Sequence, residues 1–379
     1  MAALPRYNLR WVLIKNPKQA ICSCMKPIDI EFLRKQLITW YLANHRDLPW
    51  RRSKNAYRIW VSEVMLQQTQ VNTVLSYYRR FLKTFPNIKK LAGADLQAIL
   101  KAWEGMGYYA RARNLHRAAQ AVVRDHGGRI PDTWEAFHSL PGVGDYIAAA
   151  VMSMAFDQPY AVVDGNVKRV LARLYKIQAP VNQASSQNRF KAVADKLLDT
   201  QQPGNFNQAV MELGALICKP RNPSCDACSL NPFCRAYKTN QVAGFPKRQR
   251  SKARPQYHIA VGVVFKNDRV LITQRKAEGL LGGLWEFPGG KIRAGESAQA
   301  ACIREIKEEV NLNVDIDRHL AKVKHAYTHF KINMDVFCCK YISGRVFLRG
   351  PVAFRWIRLN EYKNYPFPKA NHKFIPLLK

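Results

Sequence analysis

The stretch Leu140-Pro-Gly-Val-Gly-Asp-Tyr146 decides the fold of the first half of this chain. It is a Gly-x-Gly turn between two segments with helical spacing of apolar residues. In such a turn, backbone N–H groups at a helix start can face a phosphate. Asp164 follows the last glycine of the turn by twenty residues, so a carboxylate stands one helix further on. Because Gly-x-Gly turns are common, the interpretation depends on what surrounds this one.

The composition points to a polyanionic partner. The 379 residues predict two or three domains, each with its own core. Sixty Lys and Arg against 27 Asp and Glu leave a formal charge of +33, which favours nucleic acid first and an anionic membrane surface second. With 47% hydrophobic and 11% aromatic residues, the chain is expected to be globular and not a disordered basic tail.

No window of 18 or more apolar residues predicts a membrane span, and the first residues lack the features of a secretory signal. The nine cysteines are an odd number, and four of them cluster tightly. This favours a reducing compartment and a metal or cluster site over disulfides. We expect a cytoplasmic monomer without a membrane partner, associated with the nucleoid if the source is bacterial.

Four segments divide the chain. Residues 1–28 carry five basic and no acidic side chains, and Met25 is a second possible start. A translated leader, a phosphate-binding arm and a transit-like segment all fit this extension. Residues 29–237 show helical patterns throughout, which predicts an all-α domain. Residues 238–256 contain six basic residues, two prolines and no acid, which predicts a linker; residues 257–379 predict an α+β domain.

Within the first domain, helical spacing follows an Asp29 cap and continues in segments separated by turn residues. These segments are 33–41, 59–85, 96–103, 111–123, 133–140, 146–156, 164–174, 190–198 and 206–217. In the second domain, strand-like runs at 257–265, 270–274, 323–327 and 333–341 surround one amphipathic helix at 298–310.

Cys218, Cys225, Cys228 and Cys234 form the pattern C-x6-C-x2-C-x5-C. Four thiolates in seventeen residues can surround one compact centre, either an all-cysteine zinc ion or a [4Fe–4S] cluster, and spacing alone leaves both open. The first loop carries basic residues, so we expect the centre to shape a loop that contacts phosphates.

Two carboxylates stand at positions in predicted helices that can change their ionisation. Glu63 stands among apolar neighbours in a predicted helix, where burial would raise its pKa toward that of a general acid. A Glu on the polar stripe of an amphipathic helix is the ordinary alternative. Asp164 precedes Gly-Asn at a helix start, where by default it is an N-cap whose carboxylate is held ionised by backbone donors.

Several motifs, in order, resemble the helix-hairpin-helix base-excision glycosylases with an iron–sulfur cluster, and within them the adenine DNA glycosylase (MutY) branch. They are Leu140–Gly144, Asp164-Gly-Asn-Val167, the four cysteines, Ser62–Val71, Gly107-Tyr-Tyr109, Phe206-Asn-Gln208, Trp285-Glu-Phe-Pro and His325-Ala-Tyr-Thr-His329. The resemblance covers about residues 29–375. It implies that Cys218, Cys225, Cys228 and Cys234 hold a [4Fe–4S] cluster.

The resemblance also implies catalytic roles. Glu63 would protonate adenine at N7, Asp164 would stabilise the sugar cation, and Asn166 would position Asp164 and the water. Tyr146 stands where the similar endonuclease III branch has a lysine that forms a Schiff base with the sugar. Because tyrosine cannot form an imine, we expect a monofunctional glycosylase.

Further residues are assigned to DNA by the same resemblance, since the target base must be flipped out of the duplex. Gln68 would be the wedge, Arg51 and Gln208 would contact the adenine, Trp50 and Leu66 would line its pocket, and Tyr108 would stack near the opposite base. The hairpin residues Leu140, Gly142, Val143 and Gly144 would grip the DNA backbone. Ordinary packing explains each of these positions too, Leu66 and Trp50 above all.

The second domain carries Gly290-x5-Glu296-x7-Arg304-Glu-Ile-Lys-Glu-Glu309, a nearly complete Nudix box with Asn311 where glycine is expected. The resemblance implies recognition of 8-oxoguanine by a MutT-like domain, whose box is usually eroded. The reading loop Phe-Ser-His of the family is Tyr327-Thr328-His329 here. Mg²⁺ at Glu305, Glu308 and Glu309 is expected only if this box is active; a solvated, charge-paired helix is the alternative.

The sequence thus predicts a multidomain α + (α+β) protein: an all-α helix-hairpin-helix glycosylase domain with a [4Fe–4S] module at 218–234, then a Nudix-like α+β domain. It would excise adenine opposite 8-oxoguanine or guanine in double-stranded DNA. The alternatives are an endonuclease III-like pyrimidine-lesion glycosylase/lyase, a dual enzyme with a nucleotide pyrophosphatase domain, and a non-catalytic lesion binder.

Overall fold

The computed structural model describes residues 29–250 and 253–378. The extension at 1–28, with Met25, lies outside the described residues. Residues 29–250 contain helices and no strand, as predicted. The helices are α1 Ile30–Asn44, α2 Ala56–Leu66, α3 Val71–Thr84, α4 Ile88–Ala92, α5 Leu96–Ala102, α6 Ala110–His126, α7 Trp134–His138, α8 Asp145–Phe156, α9 Gly165–Tyr175, α10 Gln187–Leu197, α11 Pro203–Leu216 and α12 Arg235–Lys238. Within the described ranges, no helix has the length and apolar character required to cross a membrane.

The helical domain has two hydrophobic cores. Helices α2 to α8 surround one core, which contains Trp60, Phe81 and Phe137. Helix α1 and helices α9 to α11 surround the other, which contains Leu33 and Phe190. Helices α2 and α8 are apolar on nearly every side, so they are buried at the centre of the first core. A site that uses residues from both cores can form at the seam between them.

The predicted continuous helix at 59–85 is wrong, because the chain breaks between α2 and α3. Gln68 has a left-handed φ of 57° in this break. The Arg111 guanidinium donates from Nη1 to the carbonyl oxygens of Val64 at 2.9 Å, Met65 at 2.7 Å and Gln67 at 2.6 Å. These oxygens lack the following helical turn, and a distant arginine satisfies them instead. Apolar periodicity alone could not show this partner.

The second domain is a seven-stranded mixed sheet with one long helix. Its elements are β1 Gln256–Lys266, β2 Arg269–Gln274, β3 Trp285–Glu286, β4 Gly289–Lys291, α13 Ala298–Val310, β5 Asn313–Ala326, β6 Lys331–Ser343 and β7 Ala353–Arg358. The central path runs β3-β2-β1-β6-β5; β4 also pairs with β1, and β7 with β2. Strands β1 and β6 are parallel, and the other pairs are antiparallel.

Alternation along β1 separates the two faces of this sheet. Val261 and Val263 pack in a core closed by the C-terminal segment, which includes Phe367 and Phe374. Ala260 and Val264 face the opposite core under α13. The strand predicted at 323–327 proves to be the end of β5, which begins at Asn313. Charged residues and register shifts along β5 hide the alternation that reveals a strand.

The first part of the predicted linker 238–256 is packed against the helical domain. Phe245 is buried, and its carbonyl oxygen accepts a hydrogen bond from Arg173 Nε at 3.0 Å. Val181 N donates to Lys247 O at 3.0 Å, and the Asn182 side chain pairs with the backbone of Gln249. Basic composition predicted an open linker, but these backbone groups find partners on the helical surface. Residues 251 and 252 lie outside the described residues.

Candidate active site and DNA interface

A cavity of about 520 Å³ opens at the seam between the two helical cores. This volume is in the range of roughly 300–1,000 Å³ found for small-molecule sites. Its walls come from the Pro49–Arg51 turn, α2, α8 and the start of α11, and include Trp50, Arg51, Ile59, Glu63, Met154, Gly204, Asn205 and Gln208. The cavity therefore brings Trp50, Arg51 and Gln208 together with Glu63. Leu66 is half-buried at the end of α2 and packs against the first core, outside this lining.

Glu63 is the buried carboxyl group of this cavity. Its relative exposure is 2%, and Tyr146 donates a hydrogen bond from its hydroxyl to Glu63 Oε2 at 2.5 Å. Burial raises the pKa of Glu63 to about 7, the Tyr146 hydrogen bond acts in the opposite direction, and the charge of Asp164 adds to the increase. A carboxyl group with this pKa can hold and release a proton near neutral pH.

Asp164 is the N-cap of α9. Its Oδ1 accepts from Val167 N at 2.7 Å, and its Oδ2 accepts from Asn166 Nδ2 at 3.0 Å. These donors were expected to hold the carboxylate ionised, but burial outweighs them, so the pKa of Asp164 lies above its usual value. The Tyr146 hydroxyl contacts Glu63 directly, and burial together with the charges of Glu63 and Asp164 raises the pKa of this hydroxyl. The three predicted residues therefore converge.

Asn166 is held by Arg169, a contact that the sequence did not reveal. Arg169 donates from Nη2 to Asn166 Oδ1 at 2.9 Å and to Gly214 O at 2.8 Å, so the amide group of Asn166 must turn its nitrogen toward Asp164. Gly214 permits this close approach of α9 and α11, because a Cβ at that position would lie 2.7 Å from Asn166 Cβ.

Glu212 is a further site residue that sequence reasoning missed. Arg51 donates to Glu212 Oε1 at 3.0 Å and to Oε2 at 2.8 Å, and Arg46 donates to the same oxygens at 2.9 and 2.6 Å. Burial alone would raise the pKa of Glu212, but the two arginines outweigh it and hold that pKa at about 2. The ion pairs fix Arg51 at the cavity wall. A lone acid in the apolar helix α11 was the available signal, the same one that identified Glu63.

Gln68 and Tyr108 meet a residue of the second domain. The Tyr108 hydroxyl donates to Gln68 Oε1 and is hydrogen-bonded to the Thr328 hydroxyl. Tyr108 has a left-handed φ of 49°, as does Gln68 at 57°. Arg111 Nη2 also donates to Gly107 O at 3.2 Å, so one guanidinium ties the Gln68 turn to the Tyr108 loop. The predicted wedge, the predicted stacking residue and the reading loop are therefore joined.

A second cavity, of about 410 Å³, lies between the two domains. It is lined by residues 105–110, 279–281 and 325–330 and by Lys369. Tyr327 stacks on Phe330 with ring centroids 4.8 Å apart, and burial raises the pKa of Tyr327 to about 12. Thr328 and His329 are exposed at the cavity wall, so their hydroxyl and imidazole groups are accessible to a ligand.

The Leu140–Gly144 hairpin ends at the start of α8. Leu140 and Val143 are buried and anchor the turn. Gly142 has a φ of +77°, and a Cβ there would lie 2.5 Å from Asn114 Cβ, so only glycine fits without a shift. Gly144 is the N-cap and supplies no side-chain acceptor, which leaves N–H groups of the first turn of α8 exposed to an anion.

The four predicted cysteine ligands line one cavity beside α9. Arg173 donates from Nη1 to Cys218 Sγ at 3.2 Å. Burial raises the pKa of Cys228 to about 12 and raises those of Cys225 and Cys234, so thiolates here require a compensating positive centre. Within residues 29–250 and 253–378, no three His, Cys, Asp or Glu side chains converge closely enough to hold a single metal ion.

The Nudix helix α13 keeps its predicted shape, but Glu305 and Glu308 are already paired with Arg304. Arg304 donates to Glu296 at 2.7 Å, to Glu305 at 2.8 Å and to Glu308 at 3.1 Å. Glu309 is mostly buried, and burial together with the charge of Glu286 raises its pKa to about 7. The arrangement matches the charge-paired helix more closely than a preformed Mg²⁺ site. The substitution of glycine by Asn311 is explained, because Asn311 has a left-handed φ of 58°.

Comparison with known proteins agrees with this geometry. Residues 61–195 match the HhH-GPD superfamily of base excision DNA repair proteins, and residues 260–377 match the NUDIX domain. A solved thermostable thymine-DNA glycosylase is 30% identical and superposes with a TM-score of 0.51, covering 55% of this chain and 97% of its own.

Full-length relatives extend the match over both domains. The adenine DNA glycosylase of Rattus norvegicus is 34% identical over 95% of this chain and 80% of its own length. The protein of the same name from Mus musculus is 35% identical over 91% and 77%, and that of Homo sapiens 34% over 88% and 71%. The predicted fold, a helix-hairpin-helix domain followed by a Nudix-like domain, is confirmed. This chain belongs to the adenine DNA glycosylase family of base-excision repair enzymes.

Proposed function

We propose that this enzyme removes adenine paired with 8-oxoguanine or guanine in duplex DNA and leaves an abasic site. The observation that carries the proposal is the hydrogen bond of 2.5 Å from the Tyr146 hydroxyl to Glu63, at the wall of a cavity with the size of a small-molecule site. Adenine leaves poorly as an anion, and an acid with a pKa of about 7 can protonate it before the bond breaks.

In the proposed reaction, the flipped adenine enters the cavity beside Trp50, Arg51 and Gln208. Glu63 donates its proton to N7, so the base leaves as a neutral molecule. Asp164 then faces the oxocarbenium-like sugar, whose positive charge stabilises the buried carboxylate in its ionised form. Asn166 supports Asp164 through its amide group and helps to position the attacking water.

Tyr146 restricts the reaction to base removal. A lyase needs an amine that attacks the sugar carbon and forms an imine, and the phenol of Tyr146 has no such nucleophile. Instead, its hydroxyl is committed to Glu63. The alternative of an endonuclease III-like glycosylase/lyase therefore loses its support at this position.

Recognition of the opposite base is assigned to the cavity between the domains. The exposed Thr328 hydroxyl and His329 imidazole supply hydrogen-bonding groups, and Tyr108 supplies a ring that can stack on a base. Gln68, hydrogen-bonded to Tyr108, would fill the space left in the duplex. The hairpin residues Leu140, Gly142, Val143 and Gly144 would hold the phosphate backbone at the start of α8. We assign these roles to a glycosylase domain at 29–237 and a lesion-recognition domain at 257–379.

We assign a [4Fe–4S] cluster to Cys218, Cys225, Cys228 and Cys234. The four thiols line one cavity, and a positive iron centre would offset the raised pKa values of Cys225, Cys228 and Cys234. Four cysteine thiolates are the usual ligands of such a cluster. When bound, it would supply structural cross-linking of the loop; Arg173 would neutralise charge at Cys218.

The proposal is tested on duplexes with one adenine opposite 8-oxoguanine, guanine or thymine. We expect abasic product at the first two, strand breaks only after alkali, and no borohydride-trapped covalent complex. Strand breaks without alkali would contradict the monofunctional mechanism, and release opposite thymine at an equal rate would contradict the mispair specificity. Glu63→Gln should bind the duplex as the wild type does but release no adenine. Undiminished release by this variant would refute the assignment of the acid.

A further inference from the structure

One face of α5, extended by Glu104 two residues beyond the end of the helix, contacts the second domain through polar groups. Gln97, Lys101 and Glu104 are spaced by four and three residues, so they project from the same side. Gln97 donates from Nε2 to Gly283 O at 3.0 Å and accepts from Trp285 Nε1 at 2.9 Å. These contacts join the glycosylase domain to the Nudix-like domain. Their residues are distant from Glu63 in the sequence.

Glu104 is the centre of this face. Its Oε1 accepts from Phe367 N at 2.7 Å and from His372 Nε2 at 2.9 Å, and its Oε2 accepts from Lys101 Nζ at 2.6 Å. Lys101 also donates to Tyr365 O at 3.0 Å. The carboxyl group is only 15% exposed, and three donors from two domains occupy it. The glycosylase chemistry described above uses none of these groups.

The position of Glu104 links this contact to the opposite-base cavity. Glu104 is followed directly by the loop Gly105–Tyr109, whose Gly105 and Gly107 have φ values of 90° and 75°. At the end of this loop, Tyr108 is hydrogen-bonded to Thr328. The loop therefore contacts the second domain at both ends, once through a carboxylate and once at the reading residue.

The 365–372 segment is tied to the reading loop from the other side. Phe367 and Phe374 share a core with Val323 and Ile332, and Tyr327 and Phe330 pack against that core. Lys373 donates from Nζ to Lys324 O at 2.6 Å. A displacement of this segment relative to α5 would therefore carry Thr328 away from Tyr108.

We propose that Glu104 is a positioning residue for opposite-base specificity: its carboxylate sets the distance between the Tyr108 loop and the Tyr327–His329 loop across the interdomain cavity. The inference rests on the proposed function, because it assigns the specificity of that reaction to a contact outside the DNA-binding surface. Loss of the contact should weaken discrimination between 8-oxoguanine and guanine while leaving adenine protonation by Glu63 intact.

The test compares wild type, Glu104→Gln and Glu104→Ala in the full chain. Excision is measured under single-turnover conditions over a series of enzyme concentrations, with adenine opposite 8-oxoguanine or guanine. We expect the loss of the Glu104 contact to have the net effect of about one hydrogen bond, which corresponds to a fall of about tenfold in the preference for 8-oxoguanine. This fall should appear as a higher half-saturating enzyme concentration on the 8-oxoguanine duplex. The maximal rate opposite guanine should stay within about twofold. Glu31→Gln, which removes an exposed negative charge on α1, is the charge-matched control and should keep the wild-type preference.

A double-mutant cycle separates positioning from general destabilisation. Because Glu104 and His372 act through one contact, His372→Ala should lower the preference alone but add little to Glu104→Ala. Equal losses on both duplexes, or an unchanged preference in Glu104→Ala, would overturn the inference. If the wild type itself shows no preference for 8-oxoguanine, the proposed specificity fails and the inference fails with it. If the wild type prefers 8-oxoguanine and Glu104→Gln, Glu104→Ala and His372→Ala all keep that preference, the role of Glu104 is refuted and the proposed function stands.

Discussion

The hydrogen bond from Tyr146 to Glu63 gives a quantitative prediction for pH dependence. Tyr146→Phe removes only the hydroxyl that donates to Glu63 Oε2 at 2.5 Å. This donor favours the ionised carboxylate, so its loss raises the pKa of Glu63 above about 7. A hydrogen bond to a charged group contributes about 1.5–3 kcal/mol, and 1.36 kcal/mol corresponds to one pH unit, so we expect a rise of about 1–2 pH units. Because the general acid acts in its protonated form, the basic limb of the rate profile should move to higher pH.

The assay is single-turnover adenine excision opposite 8-oxoguanine at saturating enzyme, followed from acid to alkaline pH with alkali cleavage of the abasic product. Tyr57→Phe is the matched control. Tyr57 lies on α2, the helix of Glu63, and this variant loses a buried hydroxyl that donates to Phe85 O at 2.7 Å. Its basic limb should coincide with that of the wild type. A limb for Tyr146→Phe that stays in place or moves to lower pH would refute the reasoning that Glu63 is the titrating acid.

Three further predictions concern stability and the cluster. The folded-state pKa of Glu63, about 7, lies above its ordinary value of 4.5, so the wild type should lose about 3 kcal/mol of stability as pH rises from about 4.5 through 7. Glu63→Gln cannot ionise and should not show this loss. Chemical unfolding at a series of pH values measures both proteins. Glu212→Gln should lower the free energy of unfolding by about 3–5 kcal/mol, because it leaves Arg46 and Arg51 without their buried partner. Cys228→Ser should lower bound iron and visible absorption together.

Each of these predictions has its own control. For Glu63→Gln, a stability difference from the wild type that does not change with pH would contradict the raised pKa. For Glu212, Asp47→Asn breaks the exposed pair with Arg52 and should leave the free energy of unfolding nearly unchanged, because solvent screens this pair. If Glu212→Gln and Asp47→Asn lose equal stability, the buried group of Glu212, Arg46 and Arg51 contributes no more than an exposed ion pair. For the cluster, serine at the buried Cys302 in α13 should leave the iron content unchanged, whereas wild-type iron in Cys228→Ser would exclude that cysteine as a ligand.

The parts of the structure that sequence could predict are those encoded by neighbours along the chain. The cap at Asp164 and the left-handed Asn311 depend on a few adjacent residues, and both lie where the pattern placed them. Glu63 could be singled out because its helix is otherwise apolar. The helical and strand-rich halves follow from periodicity, which long segments display clearly.

The parts that sequence could not predict depend on partners distant in the chain. Arg111 ends α2 by binding carbonyl oxygens more than forty positions earlier. Glu212 holds two arginines from the N-terminal region. Glu104 meets groups more than 260 positions later. Charge patterns identify such residues only as polar, since the folded chain decides which of them are brought together and desolvated.

The packing of residues 238–250 on the helical domain also determines how far the two domains can separate. Only the five residues between Arg250 and Gln256 join the docked segment to β1, and the six Cα–Cα steps from Arg250 to Gln256 span at most about 20 Å when fully extended. A short tether of this kind keeps the second domain at a high effective concentration near α5, on the order of millimolar. Leu284 of the second domain is buried in the first helical core beside the polar contacts of α5, so the tether acts together with an apolar contact to keep the interface closed.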